Sequence, residues 1–526
     1  MALSAHAANP IIHSQKRSQV PDELVFRTAR ELATAIRTRE LSAREVMQAH
    51  LDQIEACNPA VNAIVSLDGD AAMAAADRAD RADRQLTREA PLGVLHGLPM
   101  AHKDTHLTGG LRTTFGSPVH ADFVPKADEL IVERLHAAGV LTTGKTNVPE
   151  FAAGSHTFNP VFGATGNAYD PTRSAGGSSG GAAVALACGF QPLSDGSDMG
   201  GSLRNPAAWN NVVGLRPSPG RVPSYPSVVG WATMGVQGPM ARTVDDVALM
   251  LSVIAGPDRR SPIALETPGS TFDADLALDP NGLRLAWSPD LGGEFAVEPE
   301  IVEILTGAVG VFESAGAIID PASPNMAGAE QVFRTLRAWQ FQLTHANLMR
   351  QHGDQVKASF ADNIAQGQAL SGPDVGRAEV LHTALFHRVR EFFERYDALL
   401  LPVTQLSPFP IEQEFPTLIA GVEQADYLDW MRSAYLISAT GSPALSVPAG
   451  FTADGMPVGL QIVGPHRADW LVLQLGHAFE QATGYGRRRP SLVRAMHCSG
   501  RDGAGNRRTL ADNRGQASAA PETLGG

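Results

Sequence analysis

The chain has 526 residues, of which 43% are hydrophobic and 18% charged, a composition typical of a globular protein with a large core. Its formal net charge of −13 argues against nucleic acid or an anionic membrane surface as the main partner. No run of about 18 apolar residues predicts a membrane span, and the N-terminus lacks the apolar segment of a secretory signal. Three cysteines without metal-ligand spacing favour a reducing compartment, so we expect a cytoplasmic protein.

The two ends of the chain differ in composition from its centre. Residues 1–20 are expected to form a flexible leader. Residues 499–526 are rich in Gly, Ala and Arg and have little apolar content, which predicts a disordered tail. The sequence therefore predicts one folded unit over residues 21–498.

The folded unit is predicted to begin with helices. Thr28-x-x-Glu31 and Ser42-x-x-Glu45 are capping-box patterns, which predict helices over about 29–38 and 43–56. Further along the chain, strand patterns alternate with helix patterns, which predicts an α/β layered fold. The predicted strands are 94–95, 100–102, 140–143, 397–403, 443–448 and 457–463, and the predicted helices are 127–138, 243–254, 300–315, 329–349, 380–396 and 469–483.

Lys103 is predicted to lie at the end of a short apolar strand. Only five lysines occur in a chain whose Lys and Arg total 42, so a plain positive charge is usually an arginine here. Lysine, unlike arginine, can lose its proton when it is buried. The neighbouring His102 and His106 are interpreted as structural histidines.

A phosphate-binding pattern occurs at residues 139–146, GVLTTGKT, which matches the P-loop consensus. A true P-loop follows a strand and opens a helix. Here a predicted helix precedes the match and Pro149 follows it, so the sequence does not favour nucleotide binding.

Residues 174–204 contain two glycine-flanked serine turns on either side of an apolar helix at 182–188. A serine held between glycines has an exposed hydroxyl and free backbone N–H groups beside it. A nucleophile and its oxyanion site require these features. One alternative is the G-x-S-x-G elbow of α/β-hydrolases at 177–181, with Ser179 as nucleophile, but no buried strand precedes it and no downstream histidine stands out. A purely structural pair of turns is the other alternative.

Several linked motifs, in one order, resemble those of the amidase signature family of serine hydrolases. They lie at 97–104, 144–151, 176–181, 198–204, 213–217, 441–448 and 457–464. The resemblance implies a single large α/β/α domain around a mixed sheet, with a signature core at about 93–222 and a variable substrate region at about 225–430. It implies neither a metal nor an organic cofactor.

The resemblance also implies a Ser–Ser–Lys triad. Ser202 matches the nucleophile, Ser178 matches the serine whose preceding peptide bond is cis, and Lys103 matches the general base. The oxyanion hole falls on the backbone N–H groups of Met199, Gly200, Gly201 and Ser202. Chemistry agrees, because burial lowers the pKa of a lysine and leaves a neutral amine that can accept a proton.

Three further residues are expected to support the triad, namely Ser179, Asp198 and Arg204. Trp231 and Met234 are predicted to line the substrate pocket, and Trp339, Phe341, Trp430 and Tyr435 are further candidates. These side chains favour aromatic or aliphatic amides over glutamine.

The sequence thus predicts an amidohydrolase that cleaves the C–N bond of a small-molecule amide, with anilides, carbamates or esters as related substrates. The alternative within the family is the glutaminase subunit of a tRNA-dependent amidotransferase. The oligomeric state is not determined by the sequence, and a homodimer is kept as one option.

Overall fold

Two β-sheets organise the part of the chain that the computed structural model describes, residues 24–84 and 92–493. The predicted leader (1–20) and tail (499–526) lie outside the described residues. The strands are β1 (Ile64–Leu67), β2 (Pro99–Lys103), β3 (Leu141–Thr146), β4 (Phe158–Asn159), β5 (Gly163–Ala164), β6 (Leu193–Asp198), β7 (Val213–Arg216), β8 (Val236–Ala241), β9 (Arg284–Trp287), β10 (Ile318–Pro321), β11 (Ala398–Pro402), β12 (Leu418–Ile419), β13 (Val422–Glu423), β14 (Ala444–Phe451) and β15 (Pro457–Val463).

The α-helices of the same residues cover the sheets. They are α1 (Ala29–Arg37), α2 (Ala43–Val61), α3 (Gly69–Arg84), α4 (Leu130–Ala137), α5 (Gly180–Ala187), α6 (Arg204–Trp209), α7 (Val244–Ile254), α8 (Pro299–Ser314), α9 (Ala329–His352), α10 (Ala358–Ala369), α11 (Gly372–Phe392), α12 (Arg432–Thr440) and α13 (Asp469–Thr483). Both predicted capping boxes form, at Thr28 and at Ser42.

The larger sheet is mixed. Its strand order is β10-β9-β11-β15-β14-β7-β8-β6. The first three strands run parallel, whereas every later neighbour is antiparallel. The smaller sheet has the order β1-β3-β2, in which β2 and β3 are parallel. Side chains from or just before β6 join the two sheets, because Gln191 accepts the Ala101 N–H and Asp195 accepts the Lys103 N–H.

Helices pack on both faces of the larger sheet. Along β11, Leu400 packs with α7, α8 and α13 on one face. Its neighbours Leu399 and Leu401 pack with α9, α11 and α12 on the other. Successive side chains of β11 thus point to opposite faces of the sheet, as expected for a strand that is buried on both faces. The α/β/α layering predicted from the sequence is confirmed.

Two sequence patterns have a different local structure from the one their letters suggest. Val94 and Leu95, predicted as a strand, lie in a turn, because Gly97 has φ +83° and the Leu98 N–H donates back to Leu95. The P-loop match ends inside strand β3, where Lys145 pairs with residues of β1 and β2. A Cβ at Gly144 would lie 1.9 Å from the Ser66 carbonyl oxygen, so this glycine permits close strand pairing.

A tryptophan pair fixes α6 against the segment before α12. The rings of Trp209 and Trp430 are stacked 5.1 Å apart and 7° from parallel. Both side chains are fully buried, and Trp209 Nε1 donates to the Leu406 carbonyl oxygen at 3.1 Å. Trp430 therefore belongs to the core and does not line a substrate pocket, which corrects its assignment as a pocket candidate.

We expect Trp430→Ala to lower the free energy of unfolding by about 3–5 kcal/mol, because the truncation removes a buried ring and leaves a cavity beside Trp209. Trp231→Ala is the matched control, since this side chain is 77% exposed and its loss should cost less than about 0.5 kcal/mol. Thermal unfolding followed by circular dichroism measures both. Equal losses of stability in the two variants would contradict the assignment.

Candidate active site

Lys103 is the last residue of β2, and its side chain is completely buried. Its Nζ donates to three hydroxyls, Ser178 Oγ, Ser179 Oγ and Ser197 Oγ, each at 2.9 Å. All three partners are neutral, so the amine is held by groups that can both donate and accept a hydrogen bond. The sequence predicted two of these serines and missed Ser197.

Burial lowers the pKa of Lys103 from 10.5 to about 7. The nearby carboxylates of Asp195 and Asp198 act in the opposite direction but do not outweigh desolvation. A lysine with this pKa is substantially neutral near pH 7. It can therefore act as a general base, which an exposed lysine cannot do efficiently at this pH.

Ser178 and Ser179 lie in a turn at the start of α5. The Gly177–Ser178 peptide bond is cis, as the family resemblance implies for this position. Thr157 Oγ1 donates to the Gly176 carbonyl oxygen at 2.8 Å, and this contact holds the turn against a neighbouring loop. The Ser179 N–H donates to the Ser202 carbonyl oxygen at 3.2 Å, so the two serine turns contact each other directly.

Ser179 is not placed to attack a substrate. Its side chain is completely buried and its hydroxyl accepts from Lys103, whereas Ser202 is partly exposed and lines a cavity. The turn is preceded by irregular backbone with only isolated bridges at Arg173 and Ser174 rather than by a strand. The geometry therefore does not fit the α/β-hydrolase elbow.

The second turn, which carries Ser202, is built around the buried carboxylate of Asp198. Asp198 accepts the N–H groups of Gly201 (3.0 Å) and Leu203 (3.1 Å). It also accepts from Arg204 Nε at 3.0 Å and from Arg204 Nη2 at 2.9 Å. Burial alone would raise the pKa of Asp198, but the guanidiniums of Arg204 and Arg216 hold it well below its usual range. The carboxylate thus stays charged and fixes the turn.

The predicted oxyanion donors divide into two groups. Within the described residues, the N–H groups of Met199, Gly200 and Ser202 have no protein acceptor. The Gly201 N–H, in contrast, donates to Asp198, so it is not available as a donor to an oxyanion. Gly201 has φ +108°, a conformation that favours glycine, so its role is to shape the turn.

Asp195, which the sequence did not predict as a site residue, contacts the backbone N–H of Lys103 and the side chains of both neighbouring histidines. Its carboxylate accepts from His102 Nδ1 at 2.6 Å and lies 3.3 Å from His106 Nδ1. Burial would raise the pKa of Asp195, but His106 and His102 hold it well below its usual range. The histidines are structural, as expected. The signal that could have revealed Asp195 is the run of polar residues in β6, a strand directly before the second turn.

Lys145 has no contact with either serine turn. It is buried, and its Nζ donates to the His106 carbonyl oxygen at 2.5 Å and to Thr108 Oγ1 at 3.0 Å. These bonds tie β3 to the loop after β2. Its contribution is to hold the strand that ends in Lys103.

A cavity of about 240 Å³ opens above Ser178, Ser197 and Ser202. Its wall is mainly apolar and includes Phe151, Met199, Val236, Phe333, Phe341 and Met431, with Arg337 as a charged member. A second cavity of about 300 Å³ adjoins the first and shares Phe151, Met199 and Phe341 with it.

The two residues predicted to line the substrate pocket do not line either cavity. Trp231 is 77% exposed, on a loop between β7 and β8 that leaves the indole in solvent. Met234 is buried in the core, and its carbonyl oxygen accepts from Arg216 Nη2 at 2.9 Å. These two assignments are wrong.

The other pocket candidates had mixed outcomes. Phe341 lines the cavity, as predicted. Tyr435 is buried and stacks on Phe333 with ring centroids 4.4 Å apart, so it supports the wall from behind. Trp339 is partly buried and packs against the apolar cluster that contains Phe333 and Tyr435.

Metal-binding clusters and membrane-spanning helices are both absent from the described ranges, 24–84 and 92–493. They contain no group of three or more His, Cys, Asp or Glu side chains arranged to hold a metal ion. No helix within them is long and apolar enough to cross a membrane.

The comparisons with known proteins agree with this geometry. The Amidase family description matches residues 45–473. An acylamidase of Rhodococcus erythropolis is 36% identical over 468 residues, which cover 88% of this chain and 97% of that protein. A glutamyl-tRNA(Gln) amidotransferase subunit of Moorella thermoacetica is 35% identical, and the match covers 89% of this chain and 99% of that protein.

Solved structures show the same relationship. A bacterial aryl acylamidase of the amidase signature enzymes superposes with a TM-score of 0.81 at 28% identity, covering 89% of this chain and 98% of that chain. The chain belongs to the amidase family. It is a hydrolase of amide C–N bonds that acts on small amide substrates.

The pKa of Lys103 predicts the pH dependence of hydrolysis. Below about pH 7 the amine is protonated and cannot accept a proton, so kcat/KM should fall about tenfold per pH unit on the acid side of a midpoint near 7. Initial rates across pH 5–9, at about half-unit steps, measure the profile.

Two lysine variants control this measurement. Lys103→Met should abolish activity at every pH, whereas Lys126→Met removes an exposed lysine and should leave the profile unchanged. A midpoint below about pH 5 would identify a carboxyl group rather than Lys103 as the controlling group.

Proposed function

We propose that the protein hydrolyses acyl amides through an acyl-enzyme formed on Ser202, with Ser178 and Lys103 as the proton relay. The observation that supports this most strongly is the buried Lys103 amine, bonded to Ser178 Oγ below the cavity that Ser202 lines. Desolvation lowers the pKa of that amine to about 7, so near pH 7 about half of it is in the neutral state that a general base needs.

The proposed reaction begins when Ser202 Oγ attacks the amide carbon. Its proton passes to Ser178 Oγ, whose own proton passes to the Lys103 amine. Among the described residues Ser202 Oγ has no hydrogen-bond partner, so substrate binding must bring it into line with Ser178. Catalytic hydrogen bonds often tighten only in the complex with substrate.

The developing negative charge lies on the former carbonyl oxygen. The free N–H groups of Met199, Gly200 and Ser202 supply donors to it, and each donor lost costs about 2.7–4 kcal/mol of transition-state stabilisation. When the C–N bond breaks, the amine leaves with the proton returned from Lys103 through Ser178. Water then attacks the Ser202 ester and gives a proton to the relay, which returns that proton to Ser202 Oγ as the acyl–oxygen bond breaks and the carboxylic acid is released.

The cavity wall favours substrates whose acyl group or amine group is apolar. Phe151, Phe333 and Phe341 supply aromatic surface, and Met199 and Met431 supply flexible apolar surface. We therefore propose aromatic or aliphatic amides, including anilides, as substrates. The likeness to an acylamidase and to an aryl acylamidase supports the same class, and carbamates or esters are related substrates of the same chemistry.

The alternative is the glutaminase subunit of a tRNA-dependent amidotransferase, which the 35% identity to an amidotransferase chain supports. The apolar cavity wall favours the acyl amidase. Purified chain alone should hydrolyse anilides and release little ammonia from glutamine. Glutaminase activity that appears only with partner chains would favour the alternative.

Cellular location and assembly remain predictions. The thiols of Cys57 and Cys188 are free and buried, which supports the reducing cytoplasm as the location. A homodimer is one option for the assembly, and light scattering on the purified chain distinguishes it from a monomer.

The identity of the nucleophile is tested by intact-protein mass after reaction with a fluorophosphonate. Wild type and Ser179→Ala should both gain one adduct, although Ser179→Ala should react more slowly because Lys103 loses a hydroxyl partner. Ser202→Ala should gain none and should lose at least about 10,000-fold in kcat for an anilide. An adduct retained by Ser202→Ala and lost by Ser179→Ala would contradict the proposal.

A further inference from the structure

Arg337 is a buried cation on the wall of the catalytic cavity. Arg337 lies on α9 and is only 5% exposed. It lines the same cavity as Ser178 and Ser202. Burying a guanidinium is costly unless its charge is compensated, so its surroundings should contain an anion.

The groups in contact with Arg337 are neutral. Its Nη1 donates to Asn363 Oδ1. The guanidinium carbon lies 4.0 Å from the centre of the Phe341 ring and 5.6 Å from that of Tyr427. Within residues 24–84 and 92–493, Arg337 forms no ion pair; burial lowers its pKa, and Tyr427 and the more distant Asp426 oppose this only in part. Arginine nevertheless stays protonated in proteins, so the cavity wall has a positive charge that no protein carboxylate contacts.

Arg334, one turn earlier on α9, shows the opposite arrangement. It pairs with Glu330 at 2.9 Å, Asp426 at 2.7 Å and Asp429 at 2.5 Å. The acidic residues near this part of α9 are thus used by Arg334, and none of these three pairs with Arg337. Asp198, the carboxylate on the cavity wall, is already held by Arg204 and Arg216.

We propose that Arg337 binds a carboxylate of the substrate, so that the preferred substrates are apolar amides that also carry a carboxylate. Phe341 covers one face of the guanidinium, and the N–H groups at its edge are the part that a planar carboxylate binds with two parallel hydrogen bonds. The inference rests on the proposed amidase function and specifies the substrate class of the same site.

Two matched substrate pairs test the preference, because the carboxylate can lie on either side of the scissile bond. Succinanilic acid and butyranilide differ by a carboxylate on the acyl side, and 4-acetamidobenzoate and acetanilide differ by one on the amine side. We expect the charged member of at least one pair to have a kcat/KM about 10- to 100-fold higher, the range for a charge-assisted hydrogen bond.

Arg337→Met should abolish this preference, because kcat/KM for the charged member of the pair should fall about 10- to 100-fold more than kcat/KM for the neutral member. Arg334→Gln is the matched control. It removes a cation from the same helix, outside the cavity, and should keep the preference. A merely structural role for Arg337 would lower the rates of both members of a pair equally. A preference that persists in Arg337→Met would overturn the proposal, and so would equal kcat/KM for the two members of each pair that wild type hydrolyses.

Binding separates this inference from the proposed function. In Ser202→Ala, calorimetry should show tighter binding of succinanilic acid than of butyranilide, or of 4-acetamidobenzoate than of acetanilide. Adding Arg337→Met should remove the difference. If wild type hydrolyses none of the four amides but Ser202→Ala shows this binding, the proposed substrate range fails and the Arg337 site stands. If wild type hydrolyses these amides but the Ser202→Ala variant shows no binding difference, the proposed function stands and the Arg337 site fails.

Discussion

The active site depends on one lysine that is buried without a carboxylate in contact with its amine. Lys103 Nζ has three hydroxyl partners, and hydroxyls can accept from an ammonium or donate to a neutral amine. The arrangement therefore accommodates both protonation states of the base. A carboxylate at hydrogen-bond distance would favour the charged form and raise the pKa above the working range. Asp195 remains close enough to oppose desolvation, but it binds the Lys103 backbone N–H rather than Nζ.

A second buried group fixes the position of Ser202, the proposed nucleophile. Asp198 binds backbone N–H groups of the Ser202 turn on one side and the Arg204 guanidinium on the other. Arg204 also donates to the Ala434 carbonyl oxygen and to Ser438 Oγ, so the turn is tied to α12. Removing one member of such a network leaves an uncompensated buried charge. The Ser202 turn and α12 are thus held together as one unit.

The sequence predicted the parts of the site whose residue type is dictated by chemistry or backbone geometry. Glycines mark the two serine turns in the sequence, whereas the role predicted for Lys103 came from the family resemblance. Arg337 and most of the cavity wall were not predicted, because segments far apart in the chain form this wall and no local pattern encodes their contact. Exposed Trp231 was assigned to the pocket by residue type and by its place in the family's variable region, and neither distinguishes a loop in solvent from a cavity wall. The alternating segments predicted the layered fold, whereas the strand order required long-range pairing that sequence periodicity does not contain.

The proposed mechanism requires a Lys103 amine that titrates near pH 7, and this pKa can be measured directly. The chain contains only five lysines, so NMR of protein with ¹³C-labelled lysine, assigned through Lys→Arg variants, resolves each titration. The account predicts that one resonance titrates with a midpoint near 7 and disappears in Lys103→Arg. A Lys103 resonance that titrates near the ordinary lysine value of about 10.4 would contradict it, because the amine would then be protonated throughout the working range.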